Sequence, residues 1–202
     1  MELLSLEHSK LAYRADIALY GAAVAGLAVF LAVEGPSALR FEIVALAGLG
    51  LALWTAIEYA MHRFVLHGLP PFRGWHAQHH RRPLALICTP TILSAALIAA
   101  LVFLPVFLLG GLWCACALTL GVLAGYLAYT VTHHATHHWH GESAWLKRRK
   151  RSHALHHHAA APSCFGVTTS FWDHVCGSAH RPPGARFRCG TRPARPAPHP
   201  GR

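Results

Sequence analysis

The sequence has 202 residues, of which 53% are hydrophobic and only 13% are charged, and its formal net charge is +10. An ordinary soluble domain carries about 25% charged residues, so this composition excludes that class and indicates a membrane protein of about one domain. The basic residues lie next to apolar segments and near the C-terminus, which favours anionic lipid headgroups over nucleic acid as their partner.

The first two predicted helices form a membrane hairpin. Residues 15–33 and 41–57 are apolar. Each is close in length to the roughly 20 residues that a helix needs to cross a bilayer. The loop that joins them is short and carries Arg40 as its only basic residue.

The next apolar segment is long enough for two helices. Residues 84–131 contain no charged residue and no histidine. This run is too long for one crossing, and Gly110 and Gly111 divide it, so we predict helices over 91–109 and 112–131. The predicted fold class is therefore all-α, an integral membrane protein with four transmembrane helices in two hairpins.

Basic residues lie on one side of this arrangement. They precede the first helix, separate the second from the third and follow the fourth: Lys10, Arg14, Arg63, Arg73, Arg81, Arg82 and residues 147–151. This asymmetry predicts that both termini are cytoplasmic, in a bacterial inner membrane or the endoplasmic reticulum. The predicted organisation is a cytoplasmic N-terminal segment (1–14), a membrane domain (15–180) and a disordered tail rich in proline and arginine (181–202).

Most histidines lie on the same predicted side. Of the 18 histidines, fourteen follow the second or the fourth predicted helix: His62, His67, His76, His79, His80, His133, His134, His137, His138, His140, His153, His156, His157 and His158. The topology brings both groups to one surface, so we predict a histidine-rich helical cap there.

The spacing of these histidines is typical of metal ligands on helices. Residues at i and i+4, or at i, i+3 and i+4, share a helical face. Three segments have this spacing: 76–80, 133–138 and 153–157. Neutral imidazole binds iron, zinc and copper. A tetrahedral ion needs about four ligands, so a larger set of candidate nitrogens favours two neighbouring metals.

His62 and His67 have a different spacing. Five residues apart on a regular helix, they diverge by about 140°. They can face one site only if the helix ends between them, and Gly68 is the predicted stop signal.

These segments resemble the fatty acid hydroxylase/sterol desaturase superfamily of membrane di-metal oxygenases, and within it the fatty acid 2-hydroxylases. The first two family boxes, HxxxxH and HxxHH, match "EYAMHRFVLH" (58–67) and "HAQHH" (76–80). The third and fourth match "GYLAYTVTHHATHH" (125–138) and "LKRRKRSHALHH" (146–157). The segment "FGVTTSFWDHVCGS" (165–178) resembles the signature that closes the catalytic part.

The resemblance implies a di-iron centre, with zinc as an alternative metal in isolated protein. It implies hydroxylation of an unactivated C–H bond of a lipid acyl chain with O2, and we expect electrons from a separate donor protein. Carried over residue by residue, the metal ligands are His62, His67, His76, His79, His80, His133, His137, His153, His156 and His157. His138 is predicted to lie just outside the ligand set. We expect Glu58 and Asp173 either to accept the second N–H of a ligand histidine or to pair with a nearby arginine at a helix end.

Other functions remain open on the sequence alone. A carotenoid or sterol hydroxylase or desaturase of the same superfamily also suits an apolar substrate site. A membrane metal-binding or transport protein belongs to another class, but transport predicts ionisable residues within the spans. Residues 84–131 contain none.

Overall fold

The computed structural model describes residues 7–87, 89–159 and 162–180, and within them the chain is helical and has no β-strand. Seven α-helices follow one another: α1 (Lys10–Glu34), α2 (Arg40–Ala60), α3 (Phe72–Arg81), α4 (Thr91–Ile98), α5 (Leu104–His138), α6 (Ala144–His158) and α7 (Phe171–Val175). The predicted all-α class is confirmed for this part of the chain. The predicted tail, 181–202, lies outside the described residues.

Three helical stretches are long and apolar enough to cross a membrane: Lys10–Glu34, Ser37–Leu66 and Thr91–His138. Their outward surfaces carry large apolar side chains, of which Leu109 is 90% exposed and Phe41 is 85% exposed. A bilayer would cover such surfaces, which soluble proteins rarely show to water. Helix α1 begins earlier than predicted because Ser9 caps it, accepting a hydrogen bond from the amide of Ala12 at 3.2 Å.

The third stretch contains two helical segments. At Gly111 the backbone has φ 76° and ψ −174°, a conformation that glycine tolerates best. Ile98 and Val102, before this point, pack against a cluster that includes Val122 and Tyr126, after it. In one straight helix Ile98 and Tyr126 would lie about 40 Å apart, so the chain must reverse direction at Gly111. The division is at the predicted glycine pair.

Helices α2 and α5 approach each other along a row of glycines, here called the glycine seam: Gly50, Gly121 and Gly125. A Cβ atom at Gly121 would lie 2.0 Å from the carbonyl oxygen of Ala47, and one at Gly125 would lie 2.4 Å from the ring of Trp54. Small residues let membrane helices pack this closely. The seam therefore fixes the distance between the helix that leads to His62 and His67 and the helix that ends at His138.

Candidate metal centre

Helix α2 does not end between His62 and His67, so the prediction of a helix end there is wrong. It continues as a π-helical turn over Met61–Leu66. A π-helix bonds residue i to residue i+5, so it places residues five apart on the same side. The two imidazole rings lie 5.3 Å apart between centroids and face one site. The wider π-helical turn thus brings both rings to one site, which a regular α-helix could not do.

The first histidine cluster consists of His62, His67, His76 and His156, together with His80. One nitrogen from each of the first four lies within 4.8 Å of the others. The Nε2 atoms of His62 and His76 are 3.0 Å apart, and those of His67 and His156 are 3.1 Å apart. His80 Nε2 lies 3.0 Å from that of His76 and 3.1 Å from that of His156.

The second histidine cluster consists of His79, His133, His137 and His153, together with His157. The first four again bring one nitrogen each within 4.8 Å of the others. The Nε2 atoms of His133 and His79 are 3.1 Å apart, and those of His153 and His137 are 2.7 Å apart. His157 Nε2 lies 3.1 Å from that of His153.

The two clusters are neighbours. The rings of His80 and His157, one from each cluster, stack with centroids 4.2 Å apart. Helices α3 and α6 each contribute to both clusters, whereas the end of α2 contributes only to the first and α5 only to the second. The structure therefore brings together all ten histidines predicted as ligands.

Burial keeps these imidazoles neutral. Loss of hydration, with repulsion from neighbouring imidazoles, lowers the pKa of His79 to about 3 and that of His157 to about 2. Burial likewise lowers the pKa of His156 to about 3 and that of His80 to about 4. A neutral imidazole has a lone pair free for a metal ion, so the clusters are in the form that binds metal at pH 7.

A loop between α6 and α7 orients two of these rings. The Nδ1–H of His62 donates to the carbonyl oxygen of Phe165 at 2.5 Å, and that of His156 donates to the carbonyl oxygen of Ser163 at 2.9 Å. Because Nδ1 carries the hydrogen in both rings, the lone pair lies on Nε2, which points into the first cluster. The role of Ser163 leaves no signal in the sequence, since this residue acts through its backbone carbonyl.

Glu58 and Asp173 hold this loop rather than a histidine, so the prediction that they accept a histidine N–H is wrong. Asp173 accepts from the amides of Phe165 at 2.8 Å and Gly166 at 2.9 Å. Glu58 accepts from the amide of Val167 at 2.7 Å and also from Thr168. Both carboxylates are buried, at 3% and 1% exposure for Glu58 and Asp173. They act on the first cluster by fixing the carbonyl groups that orient its rings.

The remaining histidines of the cap lie outside the two clusters. His138, predicted to lie just outside the ligand set, stacks on His134 with ring centroids 4.5 Å apart. His140 and His158 are exposed. His138 and His158 lie beside cluster rings, with centroids 6.3 Å from His137 and 6.1 Å from His157, and neither belongs to a group of described residues that could hold a metal ion.

Two cavities adjoin the clusters. The larger has a volume of about 370 Å³ and an almost entirely apolar wall, running from His62 down to Val102 and Val122 between the helices. The smaller, of about 80 Å³, is lined by His76 of the first cluster and His79 of the second. Thr89, Leu66, Tyr126 and Tyr129 line both cavities, so the two are adjacent.

Apolar helices that can cross a bilayer, ending in a paired histidine cluster, define a membrane protein with a candidate two-metal centre. The model of the fatty acid hydroxylase family matches residues 47–178, which include all ten histidines. Since the match covers more than half of the chain, the chain belongs to the fatty acid hydroxylase family. The resemblance seen in the sequence is confirmed.

Relatives from plants, mammals and yeast are similar to this chain. A dihydroceramide fatty acyl 2-hydroxylase from Arabidopsis thaliana is 30% identical over 160 residues, 73% of this chain and 66% of the relative. A fatty acid 2-hydroxylase from Rattus norvegicus is 32% identical over 139 residues, 62% of this chain and 37% of the relative. A ceramide very long chain fatty acid hydroxylase from Saccharomyces cerevisiae is 32% identical over 146 residues, 64% of this chain and 36% of the relative.

A solved structure has the same fold. It is full-length Scs7p, with only its hydroxylase domain visible, and it superposes with a TM-score of 0.70 at 30% identity. The match covers 83% of this chain and 66% of that chain. This chain therefore spans about two thirds of the plant relative and of the solved structure, and just over a third of the rat and yeast relatives.

Proposed function

We propose that this chain is a membrane di-iron oxygenase that hydroxylates an unactivated C–H bond of a lipid acyl chain. It would use O2 and electrons from a separate donor protein. One observation carries the proposal: the ten histidines converge in two adjacent clusters, and His62 of the first lines an apolar cavity between the membrane helices.

The donor set fits two metal ions. Two nitrogen ligands that bind one ion at about 2.1 Å and at right angles lie about 3.0 Å apart. The closest Nε2 atoms of the first cluster lie 3.0 to 3.1 Å apart. The lone pairs of these Nε2 atoms converge. A cation would stabilise this arrangement, whereas neutral imidazoles cannot satisfy it by hydrogen bonds because two acceptor nitrogens then face each other. All ten histidines are proposed as ligands, for iron in the cell and for iron or zinc in isolated protein.

Metals held by the two clusters would supply oxygen activation, and the chain's own residues would bind and place the lipid. The apolar cavity, at about 370 Å³, falls in the range of roughly 300–1,000 Å³ that is usual for ligand sites. From Tyr129 to Val122 it runs about 10 Å along α5. An acyl chain in this cavity would displace water from the first cluster and hold one methylene group beside it. The apolar wall suits any of these lipids, and the 2-hydroxylase relatives favour an acyl chain over a sterol or a carotenoid.

The chain is proposed to cross the membrane four times. The reversal at Gly111 supports two crossings by residues 91–138, and α1 and α2 supply the other two. The basic residues on the histidine side favour a cytoplasmic metal centre and cytoplasmic termini, in a bacterial inner membrane or the endoplasmic reticulum. Residues 15–180 then form the catalytic domain.

Lipid analysis tests this function directly. The chain is expressed in a host that lacks lipid hydroxylation, with a compatible electron donor, and extracted lipids are examined by mass spectrometry. We expect acyl chains that have gained one oxygen atom, and purified protein that contains two metal ions per chain. An unchanged lipid profile from protein that is folded, loaded with iron and supplied with electrons would refute the proposal.

The cavity floor offers a second test of the same function. Val122 is 2% exposed and lines the deep end of the cavity. Val122→Phe should shorten the cavity and shift the products toward shorter acyl chains. Val33→Phe, at an exposed site on α1, is the matched control and should leave the chain-length profile unchanged. An identical profile for Val122→Phe would place the acyl chain elsewhere.

A further inference from the structure

A buried carboxylate on α1 takes no part in the site described so far. Asp16 lies in the second turn of this apolar helix and is only 6% exposed. An ionisable residue within an apolar helix costs free energy to bury, and such residues are retained mainly where they have a function. Asp16 therefore needs an explanation beyond packing.

Hydrogen bonds hold Asp16 in one orientation. Thr91 Oγ1 donates to Asp16 Oδ1 at 2.5 Å. One turn further along α1, the Tyr20 hydroxyl lies 2.7 Å from Ser94 Oγ, so two polar contacts pin α1 to the start of α4. Within the described residues Asp16 Oδ2 makes no hydrogen bond, which leaves one carboxylate oxygen available as an acceptor.

Asp16 borders a cavity that both clusters also line. Asp16 lines the small cavity of about 80 Å³ together with His76 of the first cluster and His79 and His133 of the second. No lysine or arginine is among the residues that line it in the described part of the chain. The small cavity adjoins the acyl cavity, so a lipid whose chain fills the acyl cavity and passes the clusters would place its polar end near Asp16.

We propose that Asp16 is a positioning residue that accepts a hydrogen bond from the polar end of the lipid substrate. It would thereby favour an uncharged head that carries an N–H or O–H donor beside the acyl carbonyl, as in an N-acyl amide lipid. A hydrogen bond to a carboxylate is stronger than one between neutral groups. An ionised fatty acid would instead bring a second negative charge close to Asp16, where burial strengthens the repulsion. This inference rests on the proposed function.

The variant Asp16→Asn removes the negative charge of this side chain and keeps its size and shape. The amide oxygen of asparagine can still accept from Thr91, while its NH2 group replaces the free oxygen in the cavity. The purified, metal-loaded full chain is assayed for binding of an N-acylsphinganine and of the free fatty acid of equal chain length. We expect the preference for the amide lipid to fall by roughly ten- to a hundredfold in relative Kd, which is the range for one hydrogen bond to a charged group. The KM for the amide lipid should rise more than its kcat falls.

Two further variants complete the experiment. Glu34→Gln removes an exposed carboxylate from the other end of α1 and should leave the preference unchanged. Thr91→Val keeps the charge of Asp16 but removes its orienting donor, and it should reduce the preference by a smaller factor. If Asp16→Asn does not fold, Thr91→Val decides the question on its own.

The outcomes distinguish the two proposals. An unchanged relative Kd in Asp16→Asn, or in Thr91→Val if that variant alone folds, overturns the role of Asp16, provided that metal content equals the wild type. Wild-type protein that binds lipid but hydroxylates neither substrate counts against the proposed function, while its binding preference still tests Asp16. A wild type that prefers the free fatty acid overturns the Asp16 inference and leaves the hydroxylase proposal intact.

Discussion

The two histidine clusters are alike in composition but differ in how their rings are anchored. In the first, His62 and His156 each donate Nδ1–H to a backbone carbonyl of the loop between α6 and α7. In the second, the Nδ1 atoms of His79 and His157 are buried and have no hydrogen-bond partner among the described residues. A histidine held by its second nitrogen binds metal more tightly, because its tautomer and orientation are fixed in advance. The first cluster is therefore the more rigid site.

Removal of a ligand should have the largest effect. His156→Ala, in the first cluster, and His133→Ala, in the second, are each expected to abolish hydroxylation, since the proposed mechanism needs both ions. Metal analysis should show the loss of at least one ion per chain. His140→Ala removes an exposed histidine outside both clusters and serves as the control. Full metal content in either cluster variant would contradict the assigned ligand set.

Loss of the loop anchor should affect one cluster only. Asp173→Asn replaces an acceptor of the Phe165 and Gly166 amides with a group that also donates, so the loop should shift and release His62 and His156. We expect the metal affinity of the first cluster to fall by roughly 10- to 100-fold. Equilibrium metal titration would then resolve one weakened and one unchanged site.

The control for this change is Glu142→Gln, which alters an exposed carboxylate that pairs with Lys147 at the start of α6. In Glu142→Gln the metal affinities of both clusters should equal those of the wild type. Equal weakening of both clusters in Asp173→Asn would show that the loop supports the whole cap and not the first cluster alone.

Acid should destabilise both clusters alike, because burial and not anchoring lowers these pKa values. The pKa of His80 and that of His156, in the first cluster, are lowered to about 4 and about 3. Those of His79 and His157, in the second, are lowered to about 3 and about 2. The unfolded chain, with histidine pKa values near 6.5, therefore binds more protons as the pH falls below 6.5.

The free energy of unfolding of metal-free protein should thus decrease from about pH 6.5 downward, by up to about 1.4 kcal/mol per pH unit for each such histidine. Thermal unfolding in detergent between pH 8 and pH 5 measures this, with His140→Ala as the control. A melting temperature that is constant over this range would show that the cluster histidines are not buried in the neutral form.

Mild chelation should reveal a small difference between the clusters in the rate at which each releases its ion. The ion of the second cluster is expected to leave first, a few times faster, because two of its rings lack an anchor. A coloured chelator should therefore record two phases of equal amplitude in the wild type. In Asp173→Asn the slow phase should accelerate and approach the fast one. A single phase in the wild type would mean that anchoring does not control release.

The sequence was sufficient to predict features that depend on local spacing and composition. The long apolar segments, the reversal at the glycine pair and the ten converging histidines all follow from patterns that can be read along the chain. The π-helical turn at Met61–Leu66 could not be predicted in this way, since the packing around the site, rather than local propensity, selects it.

Contacts made by backbone groups were also invisible in the sequence. The carbonyl groups of Ser163 and Phe165 orient two rings, but any residue could supply a carbonyl. This is why Glu58 and Asp173 were assigned to histidines and not to the loop. Asp16, in contrast, is visible in the sequence as a lone acidic residue in an apolar segment.

The glycine seam has a consequence for the spacing of the two ions. Helix α2 leads through the π-helical turn into residues of the first cluster, and α5 ends in residues of the second. The gap between these helices therefore helps to set how far apart two bound metals would lie. Gly121 is three turns of helix from His133, yet a methyl group there would wedge the pair open. A wider gap between α2 and α5 would move the histidines of the first cluster away from those of the second. Helix packing inside the membrane thus controls the geometry of the site at its surface. Substitutions in the glycine seam are therefore expected to reduce activity, although these residues would contact neither metal nor lipid.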